Sequence, residues 1–256
     1  MNRPAGLGAA LGIEIRKFLS ARLPMVTAAM VVVGAAAIAS SVVLAAAGGS
    51  PDLVAKLGPL AAQGGWAGYL SAATQVTSAG GFLACGVVAS WAYGREFTDG
   101  TIAGLYALPV RRTTIAGAKL TAYLAWALAA SVLLAAALPL VGLVAGFGTL
   151  GPAELGALWR LAALTPLTAL MAVPAAWIAT LTRGPLGGIA ATVVLVASAQ
   201  ILVLSGAGEW FPPAVPALWA MAPAATNPAA LPIALWWPVL ATLLTLGSWR
   251  RLQLDH

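Results

Sequence analysis

The sequence predicts an all-α polytopic membrane protein, a single transmembrane domain over 1–256 with six transmembrane helices, and three observations carry that prediction. Hydrophobic residues make up 61% of the 256 and charged residues 8%, with a mean hydropathy of +0.94. Soluble domains sit near roughly 45–50% and 25%. The few charges are clustered, leaving charge-free stretches at 23–51, 57–94, 120–153, 161–182, 184–208 and 210–249, each longer than the ~18 residues a spanning helix needs. The basic excess behind the net charge of +6 gathers at one set of helix ends. So few charges cannot form the basic face that nucleic acid requires, and the excess reads as membrane topology.

Residues 5–22 place Leu7, Leu11, Ile15, Phe18 and Leu19 at three- and four-residue spacing, with Glu14, Arg16, Lys17 and Arg22 around them. That pattern predicts an interfacial helix lying in the headgroup plane; the alternative is a basic tail that only sets orientation. About 20 mixed residues precede a first apolar run too long for a signal core, so the first helix is expected to be retained. The spans fall near 24–47, 67–93, 120–145, 160–182, 186–206 and 231–249. A seventh is rejected, because Pro212, Pro213, Pro216, Pro223, Pro228 and Pro232 would leave carbonyls without partners in lipid.

Six crossings with both termini inside put Arg3, Arg16, Lys17, Arg22, Arg95, Arg111, Arg112, Lys119, Arg183, Arg250 and Arg251 in the cytoplasm. Only Lys56 and Arg160 are left near the outer face. Trp66, Trp159 and Trp210 at outer ends, and Trp91, Trp177 and Trp249 near inner ones, agree with that orientation. The expected location is therefore a cell membrane, multi-pass, with cytoplasmic termini.

Between spans 2 and 3, residues 95–119 concentrate the polar side chains. Thr98 or Asp99 is expected to cap a short helix over Gly100 to Leu108, Pro109 to end it, and Thr113 or Thr114 to cap the helix entering span 3. The outer connections 48–66 and 148–158 are short and Gly/Pro-rich. Residues 207–230 are apolar yet proline-broken, which fits a re-entrant or surface-lying segment; an irregular outer loop is the alternative.

Several chemistries are absent from the sequence. The nearest approach to a phosphate loop, Gly117-Ala118-Lys119-Leu120, lacks the first glycine and the hydroxyl for magnesium. There is no Cys/His cluster for a metal and no nucleophile elbow, so no catalytic residue is expected. Cys85 is the only cysteine and His256 the only histidine. No acid or base falls in the middle of a predicted span, which argues against a self-contained proton-coupled carrier. Energy is expected from another polypeptide.

Glu96, Asp99-Gly100-Thr101, Leu105, Leu108-Pro109-Val110-Arg111-Arg112 and Gly117 followed by Lys119 form a pattern that resembles the type 2 permease family of ATP-binding cassette (ABC) exporters. Ala118 departs from it, standing between a glycine and a lysine that many relatives have adjacent. The resemblance implies a permease subunit that pairs with a second copy or a sibling permease and with a separate ABC ATPase, which binds ATP and Mg while this chain binds no cofactor. It implies a coupling helix near Asp99 to Leu108, a polar relay through Glu96, and contacts from Arg111 and Arg112 to the ATPase or to anionic lipid. It also implies a substrate path between spans 2 and 5, where Ser71, Thr74, Gln75, Ser78, Thr192, Ser198 and Gln200 offer polar groups. A path without buried charge would suit a hydrophobic or amphipathic cargo such as a drug, antibiotic peptide or lipid-like molecule. The competing classes are a self-contained carrier or channel and a non-transporting membrane scaffold.

Overall fold

A computed structural model describes residues 5–48, 64–106 and 109–253. Among these residues every regular element is helical. Helix α1 (Ala5–Ser20) precedes six helices or helix pairs long and apolar enough to cross a membrane. Span 1 is α2 (Arg22–Ala47). Span 2 is α3 (Gly65–Val76), a π-helical turn (Thr77–Gly81) and α4 (Phe82–Thr98). A short α5 (Ile102–Tyr106) leads to span 3, α6 (Arg112–Val144). Span 4 is α7 (Pro152–Met171) with α8 (Val173–Leu181), and span 5 is α9 (Pro185–Leu204). After α10 (Val215–Met221), span 6 is α11 (Ala230–Ala234) with α12 (Trp236–Arg251). The end carrying residues 95–119 is the basic end; residues 207–230 mark the proline-rich end.

Helices begin or end several residues from the expected spans where a charge served as the boundary. Span 2 continues past 93 to Thr98, span 3 starts at Arg112 rather than 120, and span 4 starts at Pro152 rather than 160. Charges stop a lipid-exposed helix only when nothing neutralises or hydrates them. Glu96 and Lys119 neutralise one another, as described below. Arg160 runs back toward the proline-rich end, its guanidinium lying over Gly156, the snorkelling available to a long side chain near a helix end.

Span 4 breaks at Ala172 because Pro174 has no N–H to donate. The Ala175 N–H turns to Ala172 O (3.0 Å), and the Trp237 indole donates to the Met171 carbonyl left over (3.1 Å). A neighbouring span thus satisfies a backbone group that lipid would not. Spans 2 and 5 approach closely through small residues. A Cβ on Gly94 would strike Pro185, one on Gly86 would strike Thr192, and one on Gly188 would strike Ser90.

The proline-rich segment forms two 3-10 turns, Gly208–Trp210 and Pro212–Ala214, before α10. Pro212, Pro213, Val215, Pro216 and Ala220 are buried, and α10 packs on α7 and α3. Nearby, Trp66, Tyr69 and Phe147 form an aromatic triad with centroids 5.6–6.2 Å apart, the Trp66 indole donating to Gly148 O (3.1 Å).

Candidate coupling site at the basic end

Helix α1 divides its charges, turning Glu14 and Lys17 into the protein and leaving Arg16 exposed. Ala10, Glu14 and Phe18 are buried and Lys17 is half-buried, while Leu7 is 52% and Leu19 72% exposed. Of the four residues expected to give the helix its polar character, Glu14 and Lys17 are thus turned into the protein. Glu14 and Lys17 turn inward because the buried charges of α4 and α6 need counterions.

Those ions form one cluster. Lys119, 0% exposed, donates from Nζ to Glu96 Oε1, to Glu14 Oε2 at 3.2 Å and to the Ala92 carbonyl at 3.0 Å. Lys17 Nζ donates to Glu14 Oε1 at 2.7 Å and to Glu96 Oε1 at 3.0 Å. Two carboxylates and two ammoniums leave the cluster neutral. Burial by itself lowers the pKa of Lys17, but hydrogen bonds and charge from Glu14 and Glu96 more than offset that and hold it above the ordinary lysine value. Glu96 Oε2 has no donor among the described residues.

Aromatic groups roof the cluster. Lys119 Nζ lies 5.9 Å from the Trp249 ring centroid, and Trp249 is fully buried, donating to Thr180 Oγ1 at 3.1 Å. Tyr93 packs edge-on to Trp249 at 5.9 Å and donates to Ala116 O at 2.6 Å. Phe18 meets Trp91 edge-on at 5.3 Å. Helix α1 and spans 2, 3, 4 and 6 therefore converge on one point. Removing one partner from such a buried set costs about 3–5 kcal/mol, because the others stay buried and unpaired.

The remaining expected coupling residues lie outside this core. Asp99 is exposed and pairs with Arg95 at 3.5 Å, and Arg95 stacks over Trp91 at 4.8 Å. Glu96 pairs with neither Arg95 nor Arg112, and Arg112 Nη1 donates instead to the Leu252 carbonyl. Thr101, Pro109 and Arg111 are exposed and Leu105 is half-buried; Leu108 lies outside the described residues. So do Arg3, Lys56 and His256.

The expected caps are corrected. Thr98 belongs to α4 and donates to Arg95 O (2.9 Å), and Gly100 adopts φ +68, the left-handed stop of a helix. The polar residues thus end α4, and the short helix begins only at Ile102. Helix α6 starts at Arg112 from an extended Arg111 with no side-chain cap, so Thr113 and Thr114 lie within its first turn.

The expected substrate-path residues are not gathered into one cavity. Ser71 and Thr74 line a cavity of about 250 Å³ at the proline-rich end with Glu154, Arg160, Ala220 and Met221, Thr74 donating to Leu70 O at 2.7 Å. Thr192 is buried in the notch left by Gly86 and donates to Gly188 O at 2.8 Å. Ser78, in the π-helical turn, donates to Gln75 O at 2.8 Å. Gln75 and Gln200 are exposed on the outside of the bundle, and Ser198 is half-exposed.

Sequence reasoning missed Glu14, Lys17 and Trp249, and it discounted Lys119 because of Ala118. One signal was readable, the i,i+3 spacing of Glu14 and Lys17. Among the described residues no group of His, Cys, Asp and Glu is arranged to hold a metal.

A family model described as ABC-2 family transporter protein matches residues 23–199, more than two thirds of the chain. The match takes in spans 1 to 4 and most of span 5, including Glu96 and Lys119, and leaves out α1 and span 6. No curated protein matches the chain. With six candidate membrane helices and this match, the chain belongs to the ABC-2 family of transporter proteins, as a multi-pass membrane permease component.

Proposed function

We propose that this chain is the membrane subunit of an ATP-driven exporter and that the ion cluster is the transmission point between ATPase and gate. In this reading the basic end faces the cytoplasm and α5 with its flanking turns seats in a separate ABC ATPase, which binds ATP and Mg. One observation carries it. Glu96 and Lys119 bracket the short segment containing α5, and both are held in one buried, neutral cluster with Glu14 and Lys17. A push on residues 99–111 therefore moves the ends of spans 2 and 3 and α1 together rather than bending a loose loop. ATP drives the cycle to the extent that it favours one arrangement of the helices over another.

The exposed amide of Gln75 supports pairing with a second permease. It lies ten residues from the start of α3, about 15 Å along the helix, which is near the middle of a ~30 Å hydrocarbon core. A polar group at that depth is costly against lipid, and a second permease or an amphipathic cargo would cover it. The path would then lie between two permeases, with export of a hydrophobic or amphipathic substrate.

Co-purification tests the reading. Tagged chain should retain an ATPase subunit, and Arg111→Glu or Gly104→Pro, both at exposed positions of the coupling segment, should release it. Unchanged ATPase association in both variants would overturn the coupling assignment.

A further inference from the structure

Between α1, α2 and α6, at the basic end, lies an apolar groove of about 590 Å³ that the ion cluster does not use. Ala125 and Ala129 lie open at its base, and the bulky exposed side chains Leu19, Met25, Val33 and Leu133 flank it. It runs from Pro24 to Val33 on α2 and from Ala122 to Ala137 on α6, about 14 Å and 22 Å by helix rise. Those lengths bracket the ~15 Å hydrocarbon depth of a single leaflet. At its headgroup end the Trp126 indole donates to Pro24 O at 2.9 Å, fixing one wall to the other.

Charge at the mouth selects the occupant. Arg16 and Arg22 are exposed and make no ion pair or hydrogen bond among the described residues. Arg22 stands at the bend between Leu19 and Pro24, both of which line the groove. Lys17, their neighbour, is already neutralised by Glu14 and Glu96, so the uncompensated positive charge belongs to the two arginines. A second copy of this chain related by a two-fold axis would set a concave slot against itself and Arg22 against Arg22. A zwitterionic lipid would fill the groove but leave the arginines without a net counter-charge.

We propose that this groove holds an acyl chain of an anionic phospholipid whose phosphate is met by Arg16 and Arg22. The site needs neither the ATPase nor a direction of transport, so it stands or falls apart from the exporter reading. It also gives Leu19, the most exposed leucine of α1, a defined neighbour.

The test reconstitutes the full chain into vesicles of phosphatidylethanolamine with a minority of phosphatidylglycerol, extracts it in mild detergent, and identifies retained lipid by mass spectrometry. The native chain should retain phosphatidylglycerol in preference to phosphatidylethanolamine. Ala129→Phe, at an open position, should abolish retention without changing the thermal transition, and Ala125→Leu repeats the occlusion should the first variant fail to fold. Arg16→Gln and Arg22→Gln should each reduce the phosphatidylglycerol preference roughly fivefold, as expected for one basic residue near an anionic surface. Equal retention of both lipids by the native chain, or retention unchanged by occlusion, would overturn the proposal. So would conversion of a dimer to a monomer by Ala129→Phe, which would assign the groove to a second copy.

Discussion

The two ends of the bundle are held together by different forces. Every ion pair among the described residues lies at the basic end, where Glu14, Lys17, Glu96 and Lys119 share directional, charge-assisted hydrogen bonds. At the proline-rich end the Trp66, Tyr69 and Phe147 rings pack against one another and α10 lies on α3 and α7, with isolated hydrogen bonds such as Trp66 to Gly148 O and Asn227 N–H to Glu209 Oε1. Directional contacts fix one geometry, whereas apolar packing in lipid depends mainly on fit. The contrast teaches where a single substitution should cost most, at the paired ions of the basic end.

The largest expected effect breaks the first region. Lys119→Met leaves Glu14 and Glu96 buried with only Lys17 between them and should destabilise the fold by about 3–5 kcal/mol, read as a lower thermal transition. Adding Glu96→Gln should recover part of that loss, because fewer uncompensated charges remain buried. A smaller effect sharpens the second region. Gly142→Ala would place a methyl group into the Trp66 ring and should cost about 1–3 kcal/mol, the usual range for overpacking. The ring must move for the variant to fold, and a changed Trp66 environment in the fluorescence spectrum checks it.

Six spans were legible because a charge-free run of spanning length has few soluble interpretations. The charge clusters themselves misled at the helix ends: a lone charge near an apolar run looks like a boundary, and only its partner shows otherwise. Glu96 and Lys119 are 23 residues apart and Glu14 and Lys119 are 105 apart, distances over which sequence spacing carries no geometric information. The inward turn of Glu14 and Lys17 was hidden for the same reason. Leu7, Ile15 and Leu19 mark an amphipathic helix, but which face meets the protein depends on what spans 2 and 3 bury. A hydroxyl in a span, as at Thr192, reads equally well as path or packing until Gly86 is seen opposite it. The motif around residues 96–119 pointed to the right family, and the partners that bury its two ends lie outside it.

The most direct test of the transmission claim uses a reporter on span 2. Cys85, the only native cysteine, is buried, so Gln75→Cys supplies a single exposed thiol whose reaction with a water-soluble reagent can be timed in the chain assembled with its ATPase. Addition of ATP should change that rate in an otherwise native chain and should leave it unchanged when Glu96→Gln is added, although the ATPase stays bound. An ATP response that survives Glu96→Gln, or one seen in the chain without any ATPase, would contradict the account.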